Sequence, residues 1–182
     1  MKNHLITPRL IFVASAILLA AASRFIPHAP NFTPVLAMGL FAGATLSSFW
    51  LALLIPCAAM LLSDAFIGFH GTMWGVYLAT AIAVLLGYMI RNAQNFLTVT
   101  GMSFASAVLF FLLSNLAVWT NPATGAAYPQ DLPGLLLCYE AALPFFRNTL
   151  FSNLLYAGAL FGAFHLVREM VPSLIRVDNK KR

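Results

Sequence analysis

Residues 49–66 read FWLALLIPCAAMLLSDAF, an apolar run whose single charged residue, Asp64, comes near its end. A helix of about 20 apolar residues is long enough to cross the hydrocarbon core of a membrane. The stretch therefore predicts a transmembrane helix, with Asp64 near the point where that helix leaves the hydrocarbon. An ionisable group in this position is costly unless it is paired or faces a cavity.

The rest of the chain has the same apolar character. Of its 182 residues, 61% are hydrophobic and only 8% are charged, and the mean hydropathy is +0.86. Soluble domains carry about 25% charged residues, so too few charges are present to cover a surface in water. We expect an all-α polytopic membrane protein, with six transmembrane helices in a single integral membrane domain over residues 1–182.

Prolines and polar turns divide the chain into helical segments. Pro27, Pro30 and Pro34 interrupt the backbone after the first apolar run. The predicted transmembrane helices are Leu10–Phe25, Val35–Leu46, Phe49–Phe66, Met73–Ile90, Thr98–Trp119 and Arg147–Val167. A separate short interfacial or re-entrant helix is predicted over Gly134–Leu143, ending before Pro144.

Lysine and arginine residues are distributed unevenly between the two ends of these helices. Six helices with an internal N-terminus place eight of the ten basic residues on one side, and only Arg24 and Arg147 on the other. Because cytoplasmic loops carry an excess of basic residues, we expect a multi-pass protein of the cell inner membrane with both termini cytoplasmic. Contact with the lipid bilayer then accounts for the net charge of +5, and no nucleic acid partner is expected.

Polar residues from several helices and loops fall on the outer half of this topology, which predicts a polar cavity open to the outside. The candidate substrate-binding residues are Arg24, His28, Asn31, Asp64, Asn115, Trp119, Glu140, Arg147 and Asn148. In this hypothesis, Arg24 and Arg147 hold an anionic group of the substrate, because a guanidinium can bind carboxylate or phosphate through two hydrogen bonds. Asp64 and Glu140 would orient the arginines or bind a substrate amine.

These residues also have structural interpretations. Arg24 and Arg147 are typical of helix ends whose side chains reach the lipid headgroups. Asp64 could pair with an arginine and hold two helices together. Trp119 fits the aromatic belt at a membrane interface. Asn115 and Asn153 are candidates for hydrogen bonds between helices.

Two small residues on the first helix, Ala16 and Ala20, lie at four-residue spacing. Small residues let another helix approach closely. The pair indicates either a docking face for a partner membrane protein or packing inside the bundle.

The sequence contains no motif for catalysis or metal binding. GxxxxGK[ST], HExxH and GxSxG are absent, and neither Cys57 nor Cys138 belongs to a CxxC pair. We therefore expect no enzyme activity, no cofactor and no metal. A metal held by His28, Asp64 and His70 would instead indicate an intramembrane enzyme.

Four stretches carry a resemblance to a known family: PNFTP at 30–34, AMLLSD at 59–64, SNLAVW at 114–119 and LPFFRNT at 143–149. They resemble an uncharacterised bacterial family of putative transport proteins. That family is related to the substrate-binding (S) components of energy-coupling-factor (ECF) transporters. The resemblance covers nearly the whole chain.

The resemblance implies a six-helix bundle that binds a vitamin-like or small-metabolite substrate near its outer face and moves it inward by toppling. It also implies an ECF coupling transmembrane subunit and ATPases as partners, with Ala16 and Ala20 matching the docking pattern of S components. Two alternatives remain: a non-transport scaffold or assembly subunit, and a solitary transporter such as a cobalamin carrier.

Overall fold

The computed structural model describes residues 7–121 and 128–171, and every regular element in these ranges is a helix. The six α-helices are α1 Pro8–Ala22, α2 Val35–Thr45, α3 Phe49–Ile67, α4 Met73–Met89, α5 Phe96–Thr120 and α6 Leu132–Met170. A short 3-10 helix, Ser23–Phe25, extends α1. Lys2 and the basic residues beyond position 171, which contribute to the predicted orientation, lie outside the described residues.

Four segments are long and apolar enough to cross a membrane: Pro8–Phe25, Phe49–Ile67, Phe96–Thr120 and Leu132–Met170. The other two helices, α2 and α4, are apolar but have only 11 and 17 residues. At about 1.5 Å per residue, α2 is about 16 Å long. A helical, membrane-embedded architecture is therefore confirmed, whereas six complete spans stay a prediction.

Polar side chains mark the points where four of the helices begin. Thr7, Ser48, Asn95 and Asp131 each accept a backbone N–H from the first turn that follows, at distances between 2.8 and 3.4 Å. These N-caps satisfy donors that have no partner within the helix. Helices α2 to α5 begin and end within about two residues of the predicted bounds, although α2 and α4 have no side-chain N-cap.

The last helix differs from its prediction. α6 continues without a break from Leu132 to Met170 through Pro144, whereas the sequence predicted two helices that separate before this proline. A proline removes one backbone hydrogen bond, and membrane helices tolerate the loss where neighbouring helices support them. Here α5 packs along α6. With 39 residues, α6 is about 58 Å long, more than the hydrocarbon core of about 30 Å.

The short helix α2 lies at the centre of the bundle. All 11 of its residues are buried, and it contacts α3, α4, α5 and α6. A Cβ atom on Gly43 would lie 2.0 Å from the Val84 carbonyl oxygen, and one on Gly87 would lie 2.0 Å from that of Leu40. Glycine therefore allows the backbones of α2 and α4 to pack directly against each other.

The helices bring charged residues together at two opposite ends. At one end, here called the basic end, the Arg9 guanidinium carbon lies 5.6 Å from the centre of the Phe164 ring. At the same end, Arg91 donates to the Leu46 carbonyl at 2.6 Å. The other end, here called the Asp64 end, contains the C-terminus of α3 and the N-terminus of α4.

Candidate ligand-binding site

A largely buried ion pair joins the end of α1 to α3. Arg24 Nη2 lies 2.6 Å from Asp64 Oδ1, and the two side chains are only 13% and 7% exposed. Arg24 Nη1 also donates to Ser63 Oγ and, at 3.4 Å, to the Met60 carbonyl. The interpretation of Asp64 as an arginine partner is confirmed.

Helix α4 contributes a third member to this cluster. The Tyr77 hydroxyl donates to Asp64 Oδ2 at 2.8 Å, so both carboxylate oxygens accept a hydrogen bond. Sequence reasoning missed Tyr77, because one tyrosine in an apolar helix is indistinguishable from a packing residue. The only available signal was that a buried tyrosine hydroxyl usually needs a hydrogen-bond partner.

A cavity of about 260 Å³, here called the polar cavity, opens beside this cluster. It is formed by residues 31–35 together with α3, α4 and α5. Four of the predicted site residues, Arg24, Asn31, Asp64 and Asn115, line it. The further polar lining residues are Thr33, His70, Thr72, Tyr77 and Ser114.

A second cavity of about 300 Å³, here called the side cavity, lies next to the first. Asn31, Asn115 and Val118 line both cavities. The remaining lining of the side cavity is more apolar and includes the aromatic rings of Tyr128 and Phe145. The two cavities therefore adjoin each other, and the first is the more polar while the second is the more aromatic.

Several hydrogen-bonding groups in the polar cavity are uncommitted. Asn115 Nδ2 donates to the Phe111 carbonyl at 2.7 Å, which leaves Asn115 Oδ1 as a free acceptor. The side chains of Asn31, Thr33 and Ser114 form no hydrogen bond with another described residue. Asn31 also adopts a left-handed backbone conformation, with φ of 61°. Asparagine tolerates this conformation better than most residues.

Five predicted site residues line neither cavity in the described part of the chain: His28, Trp119, Glu140, Arg147 and Asn148. Two of them fix the surrounding loops, because Trp119 Nε1 donates to the Pro129 carbonyl and Asn148 Nδ2 donates to the Pro30 carbonyl, both at 2.9 Å. Glu140 and Arg147 are exposed on α6. A direct role of these five residues in binding stays a prediction.

The remaining sequence assignments fall inside the bundle. Ala20 is buried and Ala16 packs against the same core cluster, so their role in docking also stays a prediction. Asn153 donates to the Ser103 carbonyl at 2.7 Å, which confirms a hydrogen bond between helices. Asn115, in contrast, bonds within its own helix.

Metal coordination has no candidate in the ranges that the structure covers. Among those residues, no three His, Cys, Asp or Glu side chains are close enough to hold an ion. His28 is exposed and its Nδ1 lies 3.0 Å from the neighbouring Ala29 carbonyl oxygen. His70 Nδ1 lies 2.8 Å from the Thr72 hydroxyl.

The fold and this site define an all-helical, membrane-embedded protein with a polar cavity at one end of its helix bundle. The chain belongs to a family of unknown function, DUF6580, whose model matches residues 4–174. No curated protein and no solved structure matches the chain.

Proposed function

We propose that this protein is the substrate-binding membrane subunit of a small-molecule uptake transporter of the ECF S-component type. The observation that carries the proposal is the polar cavity, in which uncommitted hydrogen-bonding groups meet at one end of an otherwise apolar bundle. Polar groups in a membrane protein are costly and usually mark substrate pathways or binding sites. The Asp64 end would face outward, and the basic end would face the cytoplasm.

The size of the cavities supports a small ligand. Sites for drug-sized molecules occupy about 300–1,000 Å³. The polar cavity, of about 260 Å³, lies just below this range, and the side cavity, of about 300 Å³, lies at its lower limit. A small metabolite fits this space better than a large macrocyclic vitamin such as cobalamin.

The charges support a ligand without net charge. Arg24 was predicted to hold an anionic group, but its charge is neutralised by Asp64 at 2.6 Å. Arg147, the second predicted anion ligand, is exposed and lines neither cavity. An uncharged or zwitterionic ligand could use the free groups of Asn31, Thr33, Ser114 and Asn115 instead.

The ligand would have two chemically different parts. A hydrogen-bonding part would occupy the polar cavity. A ring or other flat apolar part would extend into the side cavity between Tyr128 and Phe145. Asn31 and Asn115, which line both cavities, would contact the ligand at the junction.

The test is native mass spectrometry of protein purified in mild detergent, followed by extraction of any retained small molecule. We expect a bound metabolite that carries no net charge at neutral pH when it is measured by capillary electrophoresis. Asn115→Leu should abolish retention by filling the junction. Arg147→Ala should leave retention unchanged, and a loss there would restore the original assignment of Arg147.

A scaffold or assembly subunit is the competing function. It predicts no retained small molecule, and it predicts that Asn115→Leu has no effect beyond stability. The same spectra would also reveal any ECF coupling subunit or ATPases that remain associated, which would separate an ECF-type system from a solitary transporter.

A further inference from the structure

A third cavity, larger than the polar cavity and the side cavity, lies away from the candidate site, at the basic end. It is a groove of about 630 Å³ between α5 and α6. Its apolar wall includes Leu154, Gly158, Phe161 and Gly162, and its polar wall includes Gln94 and His165. The groove is therefore mostly apolar and has a polar end at Gln94 and His165.

Two glycines keep this groove open. Gly158 and Gly162 lie one turn apart on α6, and a Cβ atom at either position would meet no other atom within 4 Å. Glycine destabilises a helix interior relative to alanine, and here no close packing inside the chain requires it. The two positions instead leave a flat surface on which another molecule can lie.

An arginine without a counter-ion lies at the same end of the bundle. Arg9 Nε is buried and has no hydrogen-bond partner. Across the residues that the structure describes, the Arg9 guanidinium makes no ion pair, and its carbon lies 5.6 Å from the centre of the Phe164 ring. A partly buried guanidinium with an unpaired donor favours an anionic partner.

Two further arginines increase the positive potential at this point. The charges of Arg91 and Arg168 both act on Arg9, and Arg168 lies one helical turn beyond Phe164 on α6. Glu169 is the single described carboxylate at this end, and it lies 3.2 Å from His165 rather than pairing with an arginine. Within the residues that the structure describes, the cluster Arg9, Arg91 and Arg168 therefore carries uncompensated positive charge.

The groove and the arginine cluster adjoin each other through two shared neighbours. Gln94 lines the groove and donates to the Arg91 carbonyl at 2.9 Å. His165 lines the groove and precedes Arg168 by about one turn on α6. Positive charge thus lies next to the polar end of an apolar groove, which is the arrangement that an anionic amphiphile requires.

We propose that the α5–α6 groove and the cluster Arg9, Arg91 and Arg168 bind one anionic phospholipid, with an acyl chain in the groove and the phosphoryl group on the arginines. Guanidinium groups suit this role because they bind phosphate oxygens through paired hydrogen bonds. The site is separate from the polar cavity and does not depend on the transport proposal.

The test is a titration followed by native mass spectrometry, using phosphatidylglycerol, phosphatidylcholine with the same acyl chains, and inorganic phosphate. We expect phosphatidylglycerol to bind in preference to phosphatidylcholine. Arg9→Gln and Arg168→Gln should each weaken that preference about fivefold, as expected for the loss of one basic residue near a lipid surface. Gly158→Leu should abolish binding of phosphatidylglycerol by filling the groove.

Matched controls distinguish binding at this site from non-specific attraction between basic residues and anionic lipid. Lys180→Gln removes the same charge from the C-terminal tail and should leave the preference unchanged. Gly101→Leu adds the same side chain to α5 at another open position, where a Cβ also meets no atom within 4 Å, and should leave lipid binding unchanged. Arg168 is exposed, so Arg168→Gln should fold even if Arg9→Gln does not.

Three results would overturn the proposal. The first is equal binding of the two lipids. The second is an equal loss of preference in Lys180→Gln and Arg168→Gln, which would mean unspecific attraction. The third is displacement of phosphatidylglycerol by inorganic phosphate together with normal binding in Gly158→Leu, which would assign the arginines to a free phosphate ion instead of a lipid.

Discussion

The substitution Asp64→Asn tests the ion pair at the centre of the candidate site. Asparagine keeps the shape of the side chain and an acceptor for Tyr77, but it leaves the charge of Arg24 uncompensated. Removing one partner of a buried ion pair costs about 3–5 kcal/mol. Arg24 is 13% exposed and retains its contacts with Ser63 and Met60, so we expect the lower value, about 3 kcal/mol. For a chain of this size, that corresponds to a fall in Tm of about 6–12 °C.

The assay is thermal unfolding in detergent, monitored by circular dichroism. A second ion pair serves as the control. His165 and Glu169 lie 3.2 Å apart, but their side chains are 72% and 65% exposed. Exposed pairs contribute at most about 1 kcal/mol, so Glu169→Gln should lower Tm only slightly. The double variant Arg24→Gln/Asp64→Asn removes both charges and should recover most of the stability that Asp64→Asn loses.

Two outcomes would refute this reasoning. One is a fall in Tm for Asp64→Asn that is no larger than the fall for Glu169→Gln. The other is strict additivity, in which the double variant loses the sum of the two single losses, because additive effects mean that the two groups do not interact.

Three further predictions concern packing and topology. Gly43→Ala should destabilise the protein by about 1–3 kcal/mol in thermal unfolding, because the added Cβ would lie 2.0 Å from a carbonyl oxygen of α4. The control Gly101→Ala places its Cβ in open space, so it should be neutral or slightly stabilising. Asn153→Ala should cost about 1 kcal/mol in the same assay, since it removes the hydrogen bonds from α6 to α5 at 2.7 and 2.8 Å; an unchanged Tm would contradict it. Cysteines placed at Asp131 and in the C-terminal tail should react with impermeant reagents from opposite sides of the membrane; labelling from one side would contradict the predicted topology.

The helices could be predicted from the sequence because apolar runs, prolines and polar turns recur along the chain. The exact start of α5 was missed, because Asn95 accepts the Thr98 N–H at 2.9 Å and the helix begins at Phe96, two residues before the predicted Thr98. Pro144 misled the prediction of α6, since a proline weakens a helix without necessarily ending it. Whether a helix continues depends on support from a neighbour, here α5, and a linear sequence does not contain that information.

The site could be predicted only in part, for a similar reason. Asp64 and Arg24 were predictable because isolated charges in apolar runs require partners. Tyr77 and Ser114 were not, because their side chains are common in packed helices. Arg147 has the same sequence features as Arg24 but is exposed on α6. A residue reaches the site only if its side chain points towards the other helices, and the sequence alone does not give that direction.

The length of α2 explains why the cavity lies where it does. α2 is the central helix, and its 11 residues span about 16 Å, roughly half of a hydrocarbon core of about 30 Å. It packs closely against α4 at Gly87, towards the basic end. The segment that precedes α2, residues 26–34, is not helical, and only its residues 32–34 are partly or fully buried. Backbone of this kind is tolerated at membrane depth only where protein buries it or where it lines a cavity. Asn31 and Thr33 in this segment line the polar cavity, so lengthening α2 by one turn through it should eliminate the cavity and ligand retention together.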